Sequence, residues 1–171
     1  AFHGGRVSLS IAVLATITSC ALGSALGAIA GYFGGVGDSV IMRTLDIFMS
    51  VPDILFTMAV VVALGSNFTN LLIALTLAYF TNYVRLVRSQ VLNLSELVRI
   101  ILSHIIPNAV GVIIVNVTLN IAKIIIYEST LSFLGLGMPP PQPEWGLMLS
   151  EAREFMRKAP FLLFYPALAI V

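Results

Sequence analysis

Charge is what this sequence has least of. Only 10% of its 171 residues are Asp, Glu, Lys or Arg, against about 25% in an ordinary soluble domain. A water-facing surface cannot be covered with so little charge, so the solvent implied is a bilayer. The net charge of +1 argues against nucleic acid as the main partner, because a polyanion needs a basic surface. Cysteine is almost absent too. Cys20 stands alone in an apolar run, so no internal disulfide forms and the redox compartment is not legible; it reads as a small packing residue. The two histidines, His3 and His104, are too few and too separated for a metal site. There is no H-E-x-x-H and no cysteine partner, so no metal is expected. No nucleophile–base arrangement is recognisable, which makes an intramembrane enzyme the weakest reading. The phosphate loop G-x-x-x-x-G-K-[ST] is missing as well. If ATP drives anything here, another chain must bind it.

Apolar length is what the sequence has in abundance. It is 58% hydrophobic with a mean hydropathy of +1.01, and roughly 20 apolar residues cross a bilayer as a helix. Val7 to Phe33 contains no charge and ends at the breaker Gly34-Gly35-Val36-Gly37. It is too long for a signal h-region and lacks a clear cleavage site, so it reads as a structural span. Ser19, Gly23, Gly27 and Gly31 recur every fourth residue on one face, a pattern that lets helices approach closely. Helix packing is preferred here over a ligand site.

Asp38 to Ser50 mixes Val40, Ile41, Leu45, Phe48 and Met49 with Asp38, Arg43 and Asp46 at helical spacing. It reads as an amphipathic helix at the membrane surface. Pro52 opens the run Ile54–Leu64, which Gly65-Ser66-Asn67 closes. A third span, Leu71 to about Val84, runs into Arg85 and Arg88. The stretch 93–108 is mixed, and Pro107 ends one helical piece or begins the next. The fourth span, Ala109–Leu136, is stopped by Gly135, Gly137 and Pro139 to Pro141. Trp145 suits an interface anchor, and Glu144–Lys158 reads as a short surface helix. The last apolar run, Phe161–Val171, is eleven residues long. That is too short to cross alone, so the chain is expected to stop inside a helix. None of these runs alternates as barrel strands do, and lipid permits only helices or closed barrels. The fold class is therefore an all-α polytopic helical bundle.

The fourth span holds the costliest residues. Asn116, Asn120, Lys123 and Tyr127 fall within about 60° at about 100° per residue, with Glu128 beside them. A polar stripe in lipid faces the protein interior or water. Two readings stay open: the lining of a translocation path, or a buried Lys123–Glu128 pair and interhelical hydrogen bonds that only hold the bundle. Charge does not orient the chain. Arg43, Arg85, Arg88 and Arg99 on one side balance Arg6, Arg153, Arg157 and Lys158 on the other, a tie under the positive-inside rule.

Several stretches resemble one family. Arg6-Val7-Ser8-Leu9-Ser10-Ile11 is similar to the entry to its second helix, and Ala30-Gly31-Tyr32-Phe33-Gly34-Gly35 with Asp38 and Met42-Arg43 to the turn after it. Tyr83 to Leu92 resembles the run into its coupling loop, and Arg99-Ile100-Ile101 with His104-Ile105-Ile106-Pro107-Asn108 the end of that loop. The most specific match is Glu128-Ser129-Thr130-Leu131-Ser132-Phe133-Leu134-Gly135-Leu136-Gly137, then Pro140 to Trp145-Gly146. Together these resemble the binding-protein-dependent ABC permeases of the oligopeptide, dipeptide and nickel type, specifically the second, C-type permease of the pair.

The resemblance implies the type I importer permease fold in a bacterial or archaeal cytoplasmic (inner) membrane. It implies three kinds of partner besides lipid: an extracytoplasmic substrate-binding protein, a second homologous permease, and two cytoplasmic ATPases that hold ATP and magnesium. No cofactor is implied in this chain. Residues 93–107 would be the coupling loop seated on an ATPase, with Ser95, Glu96, Leu97, Arg99, His104 and Pro107 as its contacts. That settles the orientation tie: Arg85, Arg88 and Arg99 become cytoplasmic, and 138–159 faces the binding protein. Peptide and nickel are both consistent substrates. The sequence also departs from the family. Ser95-Glu96 runs directly to Leu97-Val98-Arg99, without the glutamate-alanine-alanine stretch and downstream glycine, so the coupling loop is expected to be incomplete, as are both ends of the domain. Lys123 is not part of the family pattern. The rival reading is an ATP-independent channel or ion-coupled carrier that uses Lys123 and Glu128; carriers often show repeated halves, and none is evident here.

Overall fold

A computed structural model describes residues 2–92 and 106–171. Of the expected coupling residues, Ser95, Glu96, Leu97, Arg99 and His104 lie outside the described residues; Pro107 falls in the first turn of a helix. The regular structure described is helical: α1 (Phe2–Phe33), α2 (Gly35–Met49), α3 (Asp53–Leu64), α4 (Phe68–Leu92), α5 (Ile106–Phe133), α6 (Trp145–Ala152), a 3₁₀ turn at Arg153–Phe155, and α7 (Phe161–Ile170). Segments of 30 residues in α1, 25 in α4 and 23 in α5 are long and apolar enough to cross a membrane.

α1 and α4 run parallel and form the centre of the bundle. Ser19 Oγ donates to the Thr76 carbonyl at 3.2 Å. One step along, a Cβ on Gly23 would lie 2.5 Å from the Phe80 carbonyl, and one on Gly27 2.5 Å from that of Val84. At Gly31 it would meet Val91 Cβ at 2.8 Å. Both helices thus advance four residues per step, backbone against side-chain-free backbone. Close packing of this kind replaces the hydrophobic drive that lipid cannot supply. Ile11, Ala12, Ala15, Leu71, Leu75, Ile124 and Leu131 are fully buried around this axis.

Two contacts fix the sides of the bundle. Gly31 against Val91 puts the ends of α1 and α4 on one side. Ser66 Oγ donates to the Leu136 carbonyl at 3.3 Å, which puts the α3–α4 turn and the end of α5 on the other. The chain between Phe33 and Asn67 must therefore pass from one side to the other. α2 lies across the end of α4. Arg88 holds both carboxylate oxygens of Asp38, and Arg85 pairs with Asp46. Asp38 and Asp46 are two turns apart on α2, while Arg85 and Arg88 are one turn apart on α4, so α2 runs across rather than along it. Pro52 precedes α3, and the two helices meet at 83°. The 12 residues of α3 rise about 18 Å, so the crossing is a broken one.

Three element ends differ from the sequence reading. α1 begins before Arg6, because that arginine stays exposed at the helix start. α4 continues through Arg85 and Arg88, whose charges meet Asp46 and Asp38. The surface helix expected at Glu144–Lys158 stops at Ala152 and tightens into the 3₁₀ turn; Pro160 further on disfavours helical backbone in the residue before it.

Candidate functional site

The C-terminal end of α5 folds back on itself. Gly135, with φ +83°, takes a conformation that side chains resist. The Leu136 amide donates to the Leu131 carbonyl at 2.8 Å and the Gly135 amide to that of Ser132 at 3.0 Å, which is the Schellman pattern. The loop that follows is pinned by Glu144. Its Oε2 accepts from Ser132 Oγ at 2.6 Å and from the Met138 amide at 3.2 Å. A Cβ on Gly137 would lie 2.5 Å from that same oxygen, so only glycine fits.

Beneath it lies Glu128. Its Oε1 accepts from Ser8 Oγ at 3.2 Å, tying α1 to α5, and its Oε2 accepts from Ser129 Oγ at 3.3 Å. Both glutamates are 0% exposed. Their carboxyl groups face each other, and Glu144 Oε1 has no hydroxyl or amide partner. Burial pushes the Glu144 carboxyl above the usual carboxylate range. α6 closes the arrangement: Gly146 lies against the Ser129 carbonyl with no room for a side chain, and a Cβ on Gly5 would be 2.6 Å from the Trp145 ring. These hydrogen bonds fasten α1, α5 and α6 to one another.

The polar stripe of α5 points elsewhere. Asn116 is half-buried and donates Nδ2 to the Val112 carbonyl at 3.0 Å. Asn120 is buried beside the Tyr83 hydroxyl, although without hydrogen-bond geometry. Tyr127 is half-buried, with its ring 5.7 Å from that of Tyr79 on α4. Lys123 is exposed on the face of the isolated chain. The structure does not form the Lys123–Glu128 pair that the sequence allows. Five residues turn about 140° around a helix, so the two side chains leave α5 in different directions. Glu128 therefore stands apart from the other four residues.

Glu144, Ser8 and Ser132 carry much of this architecture and were not singled out by their pattern. Glu144 sits in a polar, proline-containing stretch and reads only as the start of a surface helix. The usable signal was the glycines: Gly137 and Gly146 bracket Glu144, and both occupy places where a Cβ has no room. On the same side of the bundle, Asn67, Phe68, Asn70, Met138, Pro140 and Gln142 line an open concavity of about 510 Å³.

A broken span, three long apolar helices and a pinned loop define a polytopic helical membrane protein. The chain belongs to the binding-protein-dependent transport system inner membrane components, whose family profile matches residues 23–171. It is a multi-pass inner-membrane protein of that family. It is 37% identical to the dipeptide transport system permease protein DppC of Haemophilus influenzae, over 99% of this chain and 62% of that one. It is 38% identical to the glutathione transport system permease protein GsiD of Pectobacterium atrosepticum, over 98% of this chain and 60% of that one. Identity to the oligopeptide transport system permease protein OppC of H. influenzae is 38%, over 96% and 57%. The chain thus spans about three fifths of the length of these relatives. The alignment with DppC covers 182 positions against 171 residues here, so at least 11 positions (182 − 171) have no counterpart in this chain.

Proposed function

We propose that the chain forms half of the translocation path of an ABC importer for short peptides. The carrying observation is identity of 37–38% to dipeptide, oligopeptide and glutathione permeases over nearly all of its length. These relatives favour a peptide over nickel. In this reading a second homologous permease packs against the open face of α5, where Ile114, Val115 and Leu119 are exposed. Asn116, Asn120, Lys123 and Tyr127 line the path at that interface, because a polar stripe must meet protein or water. The outer concavity and the segment 138–159 receive the extracytoplasmic binding protein. Residues 93–107 seat on one of two ATPases that hold ATP and magnesium, as a short helix docks in a groove. The positions lacking relative to DppC fit the interruption after Glu96.

The test is capture of the purified ATPase pair by the assembled permeases. Arg99→Ala and His104→Ala are expected to weaken capture. Unchanged affinity in both variants would contradict the assignment of this loop. The rival, an ATP-independent carrier using Lys123 and Glu128, loses ground because Glu128 is enclosed by Ser8, Ser129 and Glu144.

A further inference from the structure

α2 turns one face to α4 and leaves the opposite face open. Its two acids, Asp38 and Asp46, are both taken up by arginines of α4. Its remaining charge, Arg43, is exposed and has no ion-pair partner among the described residues. Val36, Val40, Arg43 and Ile47 fall within about 60° of one another at about 100° per residue. The three apolar members of that stripe are 59–81% exposed. Tyr32 and Phe33, at the end of α1, are exposed as well, with their rings edge to face at 5.2 Å. The open face thus holds one unpaired cation among apolar side chains, beside an aromatic pair.

The direction of the helix matters as much as its face. Between Phe33 and Asn67 the chain crosses from one side of the bundle to the other, and α3 makes the ascent. α2 meets α3 at 83°, so it runs across that ascent. Its contacts with Arg85 and Arg88 set it level with the last turns of α4. An amphipathic helix in that attitude suits the headgroup layer, where apolar side chains reach the acyl boundary and aromatic rings sit at headgroup level. An arginine there buries its stem and extends its guanidinium to a phosphate. Both aspartates of α2 are spent on α4, so nothing on this helix offsets Arg43. A net negative headgroup is therefore favoured over a zwitterionic one.

We propose that the open face of α2 seats in the headgroup layer and that Arg43 holds the phosphate of an anionic phospholipid there. The inference rests on the importer reading only for the leaflet. α4 leads into residues 93–107, assigned above to an ATPase, so the lipid belongs to the cytoplasmic leaflet, whose anionic lipids attract basic residues. The surface is additional to those given to the second permease, the ATPases and the binding protein.

The experiment is amide hydrogen exchange across 35–49 in the complete purified transporter. Nanodiscs of phosphatidylcholine alone are compared with nanodiscs of an equal mixture of phosphatidylcholine and phosphatidylglycerol. Exchange is expected to be about fivefold slower in the mixture, the effect of one basic residue at an anionic surface. In Arg43→Gln that difference disappears, and in Arg43→Lys, which keeps the charge, most of it remains. Equal exchange in the two compositions, the outcome if an ATPase covers this face, would overturn the proposal. A lipid dependence that survives in Arg43→Gln, or one lost in Arg43→Lys, would overturn it as well. Failure of Arg43→Gln to assemble would show a structural contact at Arg43 and have the same consequence. ATP-dependent uptake by the same wild-type preparation is the separate control. Its absence would sink the importer reading, while its presence with lipid-independent exchange would sink this inference alone.

Discussion

The Ser132 hydroxyl donates to Glu144 Oε2 at 2.6 Å, joining the last turn of α5 to the residue at the head of α6. Glu144 occupies the N-cap of α6 yet makes no side-chain cap bond; its carboxyl turns inward and accepts from Ser132 and the Met138 amide instead. Removing that carboxyl leaves two buried donors without an acceptor, at about 1–3 kcal/mol. Glu144→Ala is expected to lower Tm clearly in detergent. Glu144→Gln, which keeps an acceptor oxygen, lowers it much less. Equal effects would show that the loop is held by other contacts.

The same residue makes stability depend on pH. Its folded-state pKa is raised, chiefly by burial, so the fold favours the protonated form. That contribution is fully present below the unfolded value near 4.3. It is lost as pH rises from there through the raised folded value, because the native state binds more protons than the unfolded state in that window. Wild-type Tm is therefore expected to fall against that of Glu144→Gln as pH climbs through this range. Parallel curves would contradict a buried proton at Glu144.

Glycines divide into two classes with opposite outcomes. A Cβ on Gly23 or Gly27 would come within 2.5 Å of a carbonyl of α4. Backbone cannot step aside as a flexible side chain can, so alanine there forces the helices apart, at about 1–3 kcal/mol or more. A Cβ on Gly37 meets nothing within 4 Å. Gly37→Ala in α2 is expected to be neutral or stabilising by up to about 1 kcal/mol. Thermal melting of the three single variants checks the contrast, and a loss at Gly37 matching that at Gly23 would remove its basis.

The helices were legible because apolar length and small-residue spacing are local properties. The Ser19–Gly31 face is a period read along one helix, and α4 meets it residue for residue. Glu128 and Lys123 sat together in the sequence only because they share a segment; the turn between them sends one to Ser8 and leaves the other exposed. That outcome depends on which helices pack on which flank, and no periodicity encodes it. Glu144 was hidden for a related reason: in a polar, proline-containing stretch, a carboxylate turned inward looks the same as one turned out. The 83° break before α3 was visible only as Pro52, which says that a helix begins and not at what angle.

Arg88 and Arg85 hold α2 with unequal strength. Arg88 engages both oxygens of Asp38, with the two side chains 27% and 12% exposed, whereas Arg85 and Asp46 are 43% and 59% exposed. An exposed pair contributes about 0–1 kcal/mol, and a bidentate guanidinium contact is not replaced by an ammonium. Arg88→Lys is accordingly expected to loosen α2 more than Arg85→Lys does, read as faster amide exchange in 35–49. Equal exchange in the two variants would contradict the ranking.

The most direct test of the central claim is uptake of a labelled dipeptide into proteoliposomes that hold the permease with its partner permease and ATPases. Binding protein is supplied outside, and ATP is present or absent inside. The account predicts accumulation only when ATP and binding protein are both present. Accumulation that persists without ATP would contradict it and restore the self-sufficient carrier.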